Sequence, residues 1–219
     1  AAALYPLFMK LEFPKLIDKY GLKPPADVPA AEEPVDLTVT AEAVTTAERA
    51  EEFLALFRKA GHVTLLALPD LSGVIVDCDT GENAAVSAEF YFNRYESDWN
   101  ALLRALFSDD IKKVSHNVKD LQRTLLENGL PIEGFVFDVA LAGYLLDATA
   151  GKYDIASLFA AYFHQTLAEP KHLEPEAFSM LGDTAEAETA FHVYTSAVDA
   201  LYETFAPELE KRELHELYY

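Results

Sequence analysis

The chain has 219 residues, 51% of them hydrophobic and 12% aromatic, and its 17 basic residues against 37 acidic ones leave a formal net charge of −20. This is enough apolar material for one large cored domain, or a domain with an appendage, whereas the acidic surplus opposes the phosphate contacts of a free-standing DNA-binding module. A single cysteine, Cys78, excludes an internal disulfide and any multi-cysteine metal site. It is expected to be a small buried hydrophobe and suits a cytoplasmic protein.

No apolar run reaches the roughly 18 residues of a membrane span. The chain opens Ala-Ala-Ala-Leu-Tyr, without Met or the charged-then-apolar order of a secretory signal, and is expected to be a piece of a longer polypeptide. Residues 1–22 carry Leu4, Leu7, Phe8, Leu11, Leu16 and Ile17 among Lys and Glu, an amphipathic pattern interrupted by Pro14. Residues 23–35 are Pro- and acid-rich, which is linker composition, so the compact domain is expected over 36–219.

Thr45-Thr-Ala-Glu48 spells a capping box, and Phe53, Leu54, Leu56, Phe57 and Ala60 follow at helical spacing up to Gly61, which predicts a helix over about 46–60. Val63–Leu68, Gly73–Asp77 and Ala84–Phe92 are apolar runs punctuated by Pro69, Gly73 and Thr80-Gly81, the pattern of an antiparallel three-strand meander. Ser97 is placed to cap a helix carrying Trp99, Leu102, Leu103 and Leu106. A strand over Ile111–Ser115, a helix over Asn117–Asn128 and a strand over Phe135–Phe137 come next.

Asp154 caps a further helix with Ile155, Leu158, Phe159, Tyr162 and Phe163 on one face. A last helix, from about 184 to 206 with a kink expected at Pro207, presents Phe191, Tyr194, Val198, Leu201, Tyr202 and Phe205. Three meander strands, then parallel strands joined by helices, predict an α/β fold with a ribonuclease H-like mixed sheet flanked by helices.

Three segments carry a family resemblance: Lys113-Val-Ser-His-Asn-Val-Lys-Asp-Leu-Gln-Arg-Thr-Leu-Leu126, Gly134–Asp147 and Tyr153–Phe163. Together they resemble the middle of the 3′–5′ exonuclease domain of bacterial DNA polymerase I, a family A DNA polymerase. The resemblance extends over about 36–219. Residues 1–22 are similar, more weakly, to the tail of the 5′-nuclease domain that precedes it in such enzymes. It implies a role in DNA replication and repair. The polymerase and 5′-nuclease domains of the same polypeptide are the implied partners, the parent enzyme making most of the DNA contacts.

The family hydrolyses DNA from its 3′ end with two divalent ions about 4 Å apart. It binds them through four acids: Asp-x-Glu on the first strand, an Asp on the helix after the fourth strand, and an Asp one turn after a Tyr or His on the last helix. Hard Mg²⁺ requires such oxygen ligands. Matched residue by residue, the first pair falls on Ala67 and Pro69, the helix acid on Leu121, and the last motif on Ala190 and Tyr194. Asp70 and Asp120 stand one residue away, and such a slip turns a side chain to the other face of a strand, or by about 100° on a helix. Asp138 falls on a family position that is not a ligand and is expected to bond backbone near its strand end.

The resemblance therefore implies a non-catalytic exonuclease-like scaffold with no metal or cofactor of its own. Two alternatives stay open. One is an active Mg²⁺-dependent exonuclease using Asp77, Asp79, Asp120 and Asp199; the other is a non-cleaving module for single strands or nucleotides. For Asp77-Cys-Asp79 the commoner meaning is a polar exit from a strand. Lys112, Lys113, Lys119 and Arg123 form a small basic cluster, expected to serve local solvation and ion pairing.

Overall fold

The structure, a computed structural model, describes residues 35–37, 41–79, 86–167 and 184–218. The expected amphipathic tail over 1–22, all of the linker except Val35, the Thr80-Gly81 turn and the start of the third meander strand lie outside the described residues. Asp36–Tyr219 forms one compact unit.

Its elements, in chain order, are β1 (Ala41–Ala43), α1 (Ala47–Phe57), β2 (Val63–Ala67), β3 (Gly73–Cys78), β4 (Val86–Tyr91), α2 (Trp99–Leu106), β5 (Lys113–Ser115), α3 (Val118–Glu127), β6 (Phe135–Asp138), α4 (Val139–Leu146), α5 (Ile155–Phe163), α6 (Ala185–Lys211) and α7 (His215–Tyr218). One six-stranded sheet runs in the order β1-β4-β3-β2-β5-β6. β2, β3 and β4 pair antiparallel, with Thr64 opposite Asp77 and Asp77 opposite Ser87, while β1 joins β4, and β5 and β6 extend the sheet from β2, in parallel. This is the mixed sheet of a ribonuclease H-like fold, with β1 as an edge strand that the sequence did not predict.

Strand alternation sends the two faces of the sheet to different partners. Val63, Leu65, Val74, Val76, Cys78, Ala88 and Phe90 pack with Phe53, Leu54 and Phe57 of α1 and Leu102, Leu103 and Leu106 of α2. Each fully buried side chain of this size contributes about 1.5–3 kcal/mol, so this layer is the main source of cohesion. Burial also pushes the Cys78 thiol up to about 11, which leaves it an inert packing group. On the opposite face Leu68, Ile75 and Tyr91 meet Phe191 of α6 in a smaller cluster.

Several boundaries differ from expectation for local reasons. The cap of α2 is Asp98, whose carboxylate accepts from the Ala101 N–H at 3.1 Å, rather than Ser97. α4 was not predicted as a helix. Val139–Leu146 is apolar throughout, and its helical start is set by the Asp138 carboxylate, which accepts from Ala140 N–H at 2.9 Å. α6 runs on to Lys211 without ending at Pro207. The carbonyl that proline leaves unpaired belongs to exposed Glu203, and buried Phe205 and Leu209 anchor the helix on either side of it.

Candidate functional site

The site implied by the resemblance lies where β2 and β5 end and α3 begins. β2 and β5 are parallel, with Thr64 level with Val114, so the turn into α3 rises beside the end of β2 that carries Ala67 and Pro69. Ala67 and Leu121 are half-buried and pack against the main apolar core, and Pro69 is exposed. Ala190 and Tyr194, on α6, are buried, and burial together with the Asp154 charge raises the Tyr194 hydroxyl above its ordinary value. All five matched positions are therefore non-acidic. The Tyr194 hydroxyl is the one side-chain oxygen among them.

The entrance to α3 is built by backbone capture. Asn117 precedes the helix in a left-handed conformation (φ 54°, ψ 51°), which Asn tolerates better than most residues. Its N–H and that of Val118 donate to the two oxygens of Asp138 at 2.9 and 2.8 Å, and the same carboxylate caps α4. The expected backbone role of Asp138 is thus present, and it spans two helices. The Asn117 side chain donates to Asp120 at 2.6 Å, so Asp120 closes the first turn of α3, where a negative charge is favoured. The His116 Nε2–H donates to the Tyr153 carbonyl at 2.7 Å and orders the loop between α4 and α5.

Of the alternative acids only Asp120 stands at this location. Asp77 sits near the other end of β2, opposite Thr64, with its side chain on the α6 face. It is a buried group rather than the solvated strand exit expected of Asp77-Cys-Asp79. Ser87 Oγ donates to one of its oxygens at 2.5 Å and Ser196 Oγ to the other at 3.4 Å. Burial, reinforced by the Asp199 charge, raises its carboxyl to about 6, against the pull of the Ser87 bond. Asp199 accepts from Thr64 Oγ1 at 2.6 Å. Asp77 and Asp199 therefore belong to one interface, Asp79 lies exposed just beyond β3, and Asp120 stands at the α3 entrance. Among the described residues no three His, Cys, Asp or Glu side chains are grouped so as to hold a metal ion.

Further along that interface His192 and Glu89 pair at 2.9 Å, and Arg94 pairs with Glu188. Glu188, His192, Ser196 and Asp199 thus form a polar stripe on α6 that the sequence reading missed. The signal was available: Val74–Cys78 is apolar on both alternating faces, the mark of a central strand, so an Asp within it is covered. Of the predicted basic cluster, Lys112 and Arg123 form ion pairs as expected, whereas Lys113 leaves the surface. Lys113 is fully buried, and its ammonium donates to the Ser108 and Ile111 carbonyls at 2.8 and 2.6 Å beneath the Phe135 ring. Desolvation lowers it to about 8. Gly134 makes room for it: a Cβ there would stand 2.6 Å from Lys113 Nζ and 2.4 Å from the Ile111 carbonyl oxygen. Lys112 pairs with Asp109 and Arg123 with Glu127.

Residues 83–171 match the family model for the DNA polymerase I ribonuclease H-like domain. No curated protein sequence matches. Among solved structures, the chain is similar to the POL domain of Pol1 from M. smegmatis in complex with DNA primer-template and dNTP, at 17% identity and a TM-score of 0.61 over 80% of this chain. The match spans 29% of that longer chain. It is also similar to the Nibbler EXO domain of Aedes aegypti, at 10% identity, TM-score 0.52, and 80% and 93% of the two chains. The catalytic core of RRP6 from Trypanosoma brucei matches at 15% identity, TM-score 0.51, and 86% and 54%. At these identities the likenesses establish the fold alone. Among the described residues, no helix is long and apolar enough to cross a membrane.

Proposed function

We propose, from the premise that the chain carries a DNA polymerase I exonuclease-like domain with a ribonuclease H-like fold, that it works as a non-catalytic scaffold within a bacterial family A DNA polymerase. In this reading it packs on the polymerase domain and spaces it from the 5′-nuclease domain. Nucleotidyl transfer then resides outside this chain, the parent enzyme works in DNA replication and repair in the cytoplasm without proofreading, and the domain needs no metal.

The observation that carries the reading is the identity and setting of the five matched positions. Ala67 and Leu121 are engaged with the apolar core and Ala190 and Tyr194 are buried, while Pro69 offers no side-chain oxygen. Two-metal hydrolysis needs carboxylate oxygens on both ions, because the ions must be held rigidly while charge develops on the phosphorane. Matched positions that supply methyl, isobutyl, pyrrolidine and phenol groups lack that chemistry.

The test is degradation of a 3′-labelled single strand by the purified chain in Mg²⁺ and in Mn²⁺, beside an Asp77→Asn/Asp199→Asn double variant. Absence of cleavage by both proteins is the expected result. Cleavage that the double variant abolishes would establish the active-exonuclease alternative, with Mg²⁺ held by the α6 interface acids. Strand retention without cleavage, weakening steeply with salt, would establish the binding-module alternative.

A further inference from the structure

The four-residue helix α7 has no buried residue, and its Leu217 is 69% exposed. It follows Glu213, itself in the left-handed region at φ 57°. Tyr218 ties this light element to the sheet. Its ring stacks on Phe137 with centroids 4.8 Å apart, and its hydroxyl accepts from the Asp138 N–H and donates to the Asp138 carbonyl at 3.2 Å. The side chain of that same Asp138 holds the α3 entrance through the Asn117 and Val118 N–H groups and the α4 start through Ala140 N–H. One residue thus receives α7 on its backbone and fixes two helix starts with its carboxylate.

We propose that α7 is a latch: Tyr218 seated on Asp138 holds the α3 entrance in its strained left-handed form, and release of α7 relaxes it. Asn117 supplies the element with two arrangements, since Asn can hold the left-handed region but, carrying a Cβ, also has negative φ open to it, and the Asp138 carboxylate holds its N–H and that of Val118 in the first of these. A short helix with no buried side chain belongs to the low-stability end of a structure, so it opens without unfolding the sheet. The coupling needs no catalytic acid and stands whether or not the chain hydrolyses DNA.

Amide hydrogen exchange of the 219-residue chain, read residue by residue by NMR, tests the latch in Tyr218→Ala, which removes ring and hydroxyl, and in Tyr218→Phe, which keeps the stack and loses both hydrogen bonds. Exchange at Asn117 and Val118 is expected to rise by at least about tenfold in Tyr218→Ala and by a smaller factor in Tyr218→Phe, with Val74 to Val76 of β3 unchanged. Wild-type rates at Asn117 and Val118 in a Tyr218→Ala chain whose Tyr218-to-Leu214 helical bond exchanges freely would overturn the proposal. If Tyr218→Ala also accelerates β3, Tyr218→Phe decides: wild-type rates at Asn117 and Val118 there would equally overturn it.

Discussion

The two faces of the sheet are held by different physics. Against α1 and α2 the contact is almost entirely apolar, whereas under α6 four acids, a histidine, two serines and a threonine are interleaved with Ile75, Leu68 and Phe191. An apolar layer gains free energy from area alone and tolerates small shifts. A buried polar layer gains little on balance but penalises any position of the helix that breaks its bonds. The first layer therefore supplies cohesion. The second fixes where α6 sits, and with it the placement of Ala190 and Tyr194.

The sharpest contrast comes from deletion on the apolar side. Phe57→Ala empties a fully buried site and is expected to cost about 3–5 kcal/mol in urea or guanidinium unfolding. A cost below about 1 kcal/mol would mean that this layer is not the main core.

On the polar side the largest effect has the opposite sign. Asp77 has its carboxyl raised from 3.8 to about 6, so the stability it contributes is full below pH 3.8 and is lost as pH rises through 6. A rise of that size corresponds to roughly 3 kcal/mol at the upper limit. Asp77→Asn, which cannot ionise, is expected to gain on the wild type by a few kcal/mol at most between pH 3.5 and pH 7.5, read as the difference between their denaturant midpoints at each pH. A difference that does not change with pH would show that Asp77 titrates as an ordinary carboxylate.

Smaller effects grade the seam. Thr64→Val keeps the shape and removes the 2.6 Å bond to Asp199, with an expected loss of about 1 kcal/mol. Ser196→Ala removes only the 3.4 Å contact to Asp77 and is expected to change thermal stability by about 0.5 kcal/mol or less. Reversal of that order would move the weight of the seam toward Asp77.

Most of the architecture could be read from the sequence because periodicity and punctuation agree. Pro69 and Gly73 bracket the turn between β2 and β3, and Asp154 caps α5 as expected, accepting from the Ser157 N–H at 2.9 Å. What escaped depended on tertiary placement. Asp77 looks like a polar strand exit until α6 covers it, and Lys113 looks like a surface charge until Gly134 opens a cage for it. The edge strand β1 is three residues long, too short for alternation to show. At the candidate site, Asp138 was legible as a backbone-bonding acid, but its joining of α3 to α7 rests on contacts 20 and 80 residues apart in sequence. No local pattern encodes such contacts.

The most direct test of the central claim, that the matched positions form no two-metal site, is calorimetric titration of the chain with Mn²⁺ at physiological ionic strength. The account predicts only the weak, salt-screened heat of an acidic surface, unchanged in the Asp77→Asn/Asp199→Asn variant. Saturable binding of two ions per chain, lost in that variant, would contradict it.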